Sequence, residues 1–241
     1  FVSLVTIAVW YKIPKTTSGI QGRTGVLFLI TFLGGFGGLQ YSLTTFNMER
    51  AVFIRERLSQ SYRASAYFCS RVISELPWLI LWPIIQVSII YFAVELNDNG
   101  TEKFFILAAI AICNWFSSSA YGLAISTFAT SVEVAMTLAP VVIVPMVVFA
   151  GFFVNQDSVP PFFWPIQYIS FIKWGFQAAM INEFTDHDLD CAPTCDPLEQ
   201  FDFDEGIAVS IICLIAIGIF FRIVAYIGLV KISTPKKAKI M

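Results

Sequence analysis

The sequence predicts an all-α polytopic membrane protein, and composition is the first observation behind this prediction. The chain has 241 residues, of which 57% are hydrophobic and 13% charged, with a mean hydropathy of +0.73. This balance lies far outside that of soluble globular domains. The second observation is that the apolar runs are continuous and reach the roughly 20 residues that a spanning helix needs, which favours helices over the alternating strands of a barrel. No nucleic-acid partner is expected.

Six transmembrane helices are predicted, in chain order. The first apolar run, residues 1–11, is about half a span, so we expect the chain to be a fragment that begins inside its first helix. A signal peptide is the weaker interpretation, because no basic segment or small-residue cleavage pattern precedes Lys12. Five stretches with almost no charge follow, interrupted only by Arg222 in the last, at residues 24–48, 76–94, 104–132, 134–156 and 206–230.

Loop charge predicts the orientation. The loops 12–23, 95–103 and 155–205 together hold five Lys and Arg, whereas the alternate set holds nine, in residues 49–75, 131–133 and 231–241. The positive-inside rule places the second set in the cytosol. Both termini are therefore predicted to be cytosolic and loop 155–205 external, with Arg222 extending to the inner headgroups.

The external loop contains a segment that is apolar but too broken to cross the membrane. Residues 158–172 hold three prolines, which block regular helix hydrogen bonding. We therefore predict a re-entrant or interfacial hairpin, with Trp164, Tyr168 and Trp174 at headgroup depth.

Two cysteines lie in the acidic part of the same loop. If the loop faces an oxidising compartment, Cys191 and Cys195 are expected to be oxidised. A bridge within the loop and a bridge to a second copy both remain open. His187 lies near several aspartates, but a solvated loop is the better interpretation than a metal site.

Two further patterns predict close helix packing. Gly34 and Gly38 form a Gly-x-x-x-Gly pair, which lets another helix approach. Asn114, Ser117 to Ser119 and Tyr121 form a polar track, which predicts hydrogen bonds between helices rather than a binding site.

Several runs resemble a known family. They are the segments Gly-Ile-Gln-Gly-Arg-Thr-Gly-Val-Leu-Phe, Glu-Arg-Ala-Val-Phe-Ile-Arg-Glu, Ser-Glu-Leu-Pro, Lys-Trp-Gly-Phe and Asn-Glu-Phe, which begin at residues 19, 49, 74, 173 and 182. Their order and spacing resemble the membrane domain, of ABC-2 type, of ATP-binding-cassette transporters of the G subfamily, the half-transporters that export eye pigments, sterols and drugs. The resemblance covers nearly all of residues 1–241.

The resemblance implies a coupling region in the cytosol at residues 49–75. Within it a short helix, roughly residues 51–60, would dock on the ATPase domain. Arg55, Glu56 and Arg57 could pair with charges across that interface, and Phe53 would anchor it. A merely solvated, positive-inside loop is the alternative.

The resemblance also implies a dimer of two half-transporters, the same or different, in the plasma membrane. The chain contains no phosphate-binding Gly-x-x-x-x-Gly-Lys-Ser/Thr motif, so no catalytic residue and no cofactor are expected within it. ATP and Mg²⁺ would be bound by the family's ATPase domain, which lies upstream of the membrane domain.

A substrate path is suggested by aromatic spacing together with the resemblance. Phe28, Phe32 and Phe36 recur at i, i+4 and i+8, so they share one helix face. Alone, this stripe indicates packing or a lipid-facing surface. The resemblance implies that these residues line a cavity, together with three residues of the fifth span and a pair of rings that closes the outer end: Pro140, Val144 and Val147, then Phe152 and Phe153.

The sequence therefore predicts the membrane half of an ATP-driven exporter, which moves an amphipathic or lipid-like substrate by alternating access. A non-transporting regulatory subunit and an ATP-independent carrier are the alternatives. Spans without central charges disfavour an ion-coupled carrier.

Overall fold

The computed structural model describes residues 2–11, 13, 17–59, 61–96, 101–154, 159–185 and 206–233, and these are helical apart from their connections. A 3₁₀ turn, Pro161–Phe163, lies in the long loop. The helices are α1 (Val2–Val9), α2 (Thr17–Leu58), α3 (Ala64–Val94), α4 (Thr101–Phe128), α5 (Val132–Val148), α6 (Trp164–Tyr168), α7 (Phe171–Phe184) and α8 (Ile207–Ser233).

Four of these helices are long and apolar enough to cross a membrane, which confirms the all-α polytopic membrane class. They are α2, α3, α4 and α8. The predicted span at 134–156 is shorter than expected, because α5 has 17 residues and ends at Val148. Two prolines lie within α5, and Gly151 follows at a φ of 98°, a left-handed conformation that a helix cannot continue through. Six spans therefore remain a prediction.

Helix α4 lies at the centre of the bundle and packs most extensively on α2 and α8. The contact with α2 leaves no room for a side chain at two glycines: a Cβ at Gly38 would overlap the Ser118 hydroxyl, and a Cβ at Gly122 would overlap the Leu39 carbonyl. The predicted close approach is thus confirmed at Gly38. Gly34 faces the Gln86 side chain of α3 instead.

The polar track of α4 makes the predicted hydrogen bonds between helices. Asn114 donates from Nδ2 to the Thr31 carbonyl of α2 at 2.7 Å. Ser117 donates to the Leu214 carbonyl of α8, and Tyr121 to the Ile169 carbonyl before α7. Each bond satisfies a polar group that lipid could not.

Helix α7 lies just beyond the predicted hairpin, and re-entry of this segment into the membrane stays a prediction. Its residues are almost all buried among α2, α4 and α8. In its first turn the Phe171 ring lies against Gly35 of α2. Just beyond its last turn, Lys103 of α4 donates to the Thr185 carbonyl at 3.0 Å. Helix α7 therefore runs from the bundle interior back to the end where α4 begins.

Trp174 is packed inside the protein and lacks the exposure expected for a ring among the headgroups. Trp174 is 3% exposed, and its indole N–H donates to the Tyr168 carbonyl at 2.8 Å. Trp164 and Tyr168 are about half exposed, which fits the predicted interfacial position. Some predictions concern residues that the structure does not describe, namely those for Cys191, Cys195, His187 and the lysines of residues 234–241.

Candidate functional site

The predicted phenylalanine stripe forms a continuous row of rings on α2. The Phe28 and Phe32 centroids are 5.9 Å apart with the rings nearly parallel, and Phe32 and Phe36 are 6.3 Å apart. Exposure rises along the row, from 6% at Phe28 to 39% at Phe36. The row thus leads from the packed interior to an open apolar face.

The two rings predicted as an outer gate lie against the buried end of this row. Phe152 stacks on Phe28 at 4.4 Å, and Phe153 meets Phe28 edge-on at 5.6 Å. Phe176 of α7, which was not predicted, contacts Phe28 at 5.7 Å and Phe152 at 5.9 Å. We call these six rings the aromatic cluster: Phe28, Phe32, Phe36, Phe152, Phe153 and Phe176.

The residues predicted on the fifth span divide between surface and core. Pro140 and Val144 are exposed on α5, Val144 by 58%, whereas Val147 packs against the core. Gln40 of α2 contacts the Met136 sulfur of α5 at 3.1 Å. Because α2 and α5 run in opposite directions, Phe36 lies at about the level of Pro140, one turn from that contact. Val147 packs against the same core cluster as Phe28, Phe32 and Phe152, and its place in the path stays a prediction.

The predicted coupling helix is not a separate element, because α2 continues unbroken through Leu58. Phe53 is 2% exposed and stacks within the chain on Tyr67 at 4.4 Å, with Tyr62 at 6.4 Å. Phe53 therefore fixes the end of α2 to the start of α3. It is unavailable as the predicted anchor for a partner.

The three charges beside Phe53 differ in availability. Arg57 donates to the Tyr62 carbonyl at 2.5 Å, and the Tyr62 hydroxyl donates to Glu56 at 2.7 Å, so both side chains hold the turn between α2 and α3. Burial and the bond to Glu56 raise the pKa of Tyr62 to about 12, so the phenol stays a neutral donor. Arg55 and Glu56 are exposed.

A buried charge network lies at the same end of the bundle, and sequence reasoning missed it. Arg71 binds Glu75 through Nε at 3.0 Å and the more exposed Glu49 through Nη1 at 2.5 Å. Arg222 of α8 approaches Glu75 at 3.8 Å and donates to the Ser119 hydroxyl at 3.2 Å. The one available signal was the i, i+4 spacing of Arg71 and Glu75.

This network corrects two expectations. Arg222 is 7% exposed and points into the bundle instead of extending to the headgroups. Arg71 and Glu75 lie in the first half of α3, so this helix begins before the predicted charge-free stretch 76–94, which itself stays free of charge.

A second buried ion pair fastens α7. Arg23 of α2 binds Glu183 of α7 at 2.5 Å, and both side chains are at most 2% exposed. Arg23 also donates to the Glu95 carbonyl at 3.0 Å. The pair ties α2, α7 and the end of α3 together, beside the aromatic cluster.

Comparisons with known proteins agree with the resemblance. Residues 1–184 match the family described as ABC-2 type transporter. The chain is 31% identical to Protein white of Ceratitis capitata over 230 residues, covering 89% of this chain and 33% of the relative. It is 32% identical to the ABC transporter ATP-binding protein/permease wht-1 of Caenorhabditis elegans over 248 residues, covering 94% of this chain and 36% of the relative.

A third relative is the broad substrate specificity ATP-binding cassette transporter ABCG2 of Bos taurus, 34% identical over 185 residues, which are 76% of this chain and 28% of the relative. The chain thus spans about a third of the length of the curated relatives it matches. The family match, the helical bundle and these relatives agree. The chain is an ABC-2 type membrane domain and belongs to the ABC-2 type transporter family, with ABCG-type transporters as its relatives.

Proposed function

We propose that this chain is the membrane-spanning half of an ATP-driven exporter that moves an amphipathic or lipid-like substrate by alternating access. The observation that carries the proposal is the aromatic cluster, which joins an exposed apolar face at Phe36 to the paired rings Phe152 and Phe153. Flat or apolar molecules stack on such rings without needing a specific hydrogen-bond pattern.

Two partners follow from this proposal. A second half-transporter, the same or different, would cover the exposed face of α2 and α5 and so enclose the path. An ATPase domain would bind ATP and Mg²⁺ and dock beside the exposed Arg55 and Glu56. The name of the nematode relative contains both an ATP-binding protein and a permease, which supports such a pairing. The orientation would follow the loop charges, with both termini in the cytosol of the plasma membrane.

Inside-out vesicles from cells that express the complete protein would test the proposal. We expect ATP, and not a non-hydrolysable analogue, to drive uptake of a fluorescent amphipathic dye. Phe36→Ala should weaken that uptake without reducing the amount of protein in the membrane. Equal dye uptake by the Phe36→Ala variant and the parent would contradict the assigned path.

An ATP-independent carrier is the second candidate, because the Arg71, Glu75 and Arg222 network is a buried set of charges shared by α3 and α8. Uptake driven by a proton gradient in the absence of ATP would favour that candidate. A regulatory subunit would show neither ATP-driven nor proton-driven uptake by itself. It would change only the transport activity of a co-expressed partner.

A further inference from the structure

One polar side chain interrupts the apolar surface beside the aromatic cluster. Gln40 of α2 follows Phe36 by one helix turn, so the two side chains share one helix face, about 6 Å apart along the axis. Gln40 belongs to a row at helical spacing whose side chains are all partly or fully exposed: Leu29, Leu33, Phe36, Gln40 and Thr44. The row changes from apolar to polar at Gln40, within the predicted span 24–48.

The amide of Gln40 has one end held and one end available. Its Nε2 contacts the Met136 sulfur of α5 at 3.1 Å, the orientation expected because a thioether accepts but cannot donate. Its Oε1 accepts no hydrogen bond from the described residues and is not buried. The Thr44 hydroxyl, one turn further on, is occupied, because it donates to the Gln40 and Tyr41 carbonyls at 2.9 and 3.0 Å. Gln40 therefore offers an acceptor that has no donor partner.

An available carbonyl oxygen on an apolar surface specifies the kind of ligand. An acceptor without a donor is unfavourable in an apolar setting, so a ligand that donates a hydrogen bond there is stabilised most. A neutral donor fits better than an ammonium group, which would lack a counter-charge beside a neutral amide. The one acid of α5, Glu133, is exposed in the first turn of that helix. A hydroxyl group meets both conditions.

We propose that the substrate of the path is a flat apolar molecule with a neutral hydroxyl group, whose rings stack on Phe36 and whose hydroxyl donates to Oε1 of Gln40. This inference rests on the proposed function. It narrows the substrate class to molecules that carry a donor about one helix turn from their ring system. Ethers and esters are disfavoured, because their oxygens only accept and would face the lone pairs of Oε1.

Fluorescence titration of the complete protein in phosphatidylcholine nanodiscs would test this substrate class. The probes are pyrenebutanol and its methyl ether, which share the flat ring and differ in the donor. Each affinity is corrected for partition into nanodiscs without protein. We expect the alcohol to bind the parent roughly twofold to tenfold more tightly than the ether, the range of one neutral hydrogen bond. Gln40→Met, which keeps the length of the side chain and removes the acceptor, should abolish that difference.

Gln86→Met is the matched control. Gln86 is a second glutamine within the spans, but it lies on α3 and donates to the Ile30 carbonyl at 3.4 Å, so its replacement should keep the difference between the probes. Gln40→Asn withdraws the amide by one methylene and should reduce the difference. It covers the case in which Gln40→Met does not fold.

Phe36→Ala separates the failure of this inference from the failure of the proposed function. If Phe36→Ala weakens both probes, but the alcohol and the ether bind the parent equally or their difference survives Gln40→Met, the hydroxyl class is wrong and the path stands. If neither probe binds saturably, or Phe36→Ala changes neither affinity, the path itself is wrong.

A charged probe tests the neutral character of the donor. We expect pyrenebutylammonium to bind no more tightly than pyrenebutanol. Tighter binding of the ammonium that is lost in Glu133→Gln would overturn the neutral class, since Glu133 would then select a cation.

Discussion

At the scale of single residues, buried ion pairs and stacked aromatic rings have different roles, the first in stability and the second in binding. Arg23 with Glu183, and Arg71 with Glu75, are ion pairs with almost no exposure, so removing one partner leaves an uncompensated charge in a low-dielectric interior. The aromatic cluster contributes through area and ring geometry, and its outermost member, Phe36, is partly free to meet another molecule. The ion pairs should therefore control stability, and Phe36 should control binding.

We expect Glu75→Gln to lower the free energy of unfolding by about 3 kcal/mol, because Arg71 and Arg222 would both lose their buried counter-charge. Thermal unfolding of the purified protein in detergent would measure the change. Glu133→Gln, at the exposed start of α5, is the matched control and should stay within about 0.5 kcal/mol of the parent. Equal midpoints for the two variants would show that the network does not support the fold.

Phe36→Ala should weaken binding of a flat amphipathic substrate by at least about twofold to tenfold, because the ring stack is worth roughly 0.5–1.5 kcal/mol in addition to the apolar area that the ring buries. Affinity can be measured by fluorescence titration, with the yield of folded protein recorded beside it. Phe105→Ala, also on an exposed ring but on α4, is the control and should leave affinity unchanged. A loss of folded protein at unchanged affinity would mean that Phe36 serves packing alone.

At the scale of elements, the local sequence pattern predicted which residues share a face of one helix. It missed the contacts that form only when helices distant in sequence pack together. The i, i+4, i+8 spacing placed Phe28, Phe32 and Phe36 correctly because a helix fixes that face by itself. Phe53 was misassigned because its burial depends on α3 folding back to bring Tyr67 against it. Arg222 was misassigned because its partner Glu75 is far away in sequence, and loop charge counting carries no information about such pairs.

The end of α2 should still transmit motion, through its exposed charges. In the complete protein, we expect charge reversal at Arg55 to uncouple ATP hydrolysis from transport with surface expression intact, since a docking contact is lost while Phe53 keeps the helix in place. The readout is the ratio of dye transported to ATP hydrolysed. Tyr62→Phe, which removes the internal bond to Glu56, is the control and should leave that ratio unchanged. If the Arg55 variant kept the parent's ratio of dye transported to ATP hydrolysed, the coupling contact would have to lie at other residues.

At the scale of the whole molecule, the helix ends sort into two groups that agree with the alternate loop sets. Arg50 near the end of α2 donates to the Ala129 carbonyl just after α4, and Glu49 binds Arg71 of α3. At the opposite end, Lys103 of α4 meets the last residues of α7. The grouping of loops is thus consistent with the predicted topology, and the assignment of each group to cytosol or exterior stays a prediction from charge.

Single cysteines placed in a variant without native cysteines would test the assignment. We expect Ser59→Cys to react with an impermeant maleimide only after the cells are permeabilised, and Glu102→Cys to react on intact cells, because the two exposed positions lie at opposite ends of the bundle. The reverse pattern would invert the topology.

Peptide mapping of the native protein should find Cys191 and Cys195 oxidised, and two free thiols there would contradict an external loop.

The burial of α7 has a consequence for the order of events during synthesis. Helix α7 contains Lys173, Gln177 and Glu183, and all three are buried in the finished bundle. Helix α8 forms part of their surroundings, and it is synthesised after α7 because it follows α7 in the chain. Until α8 has been made and has packed, these polar groups lack their final surroundings, and the nascent chain exposes a helix that neither lipid nor water solvates well. A chain cut short before Ile207 should therefore be retained and degraded by quality control even though α2, α3 and α4 are complete.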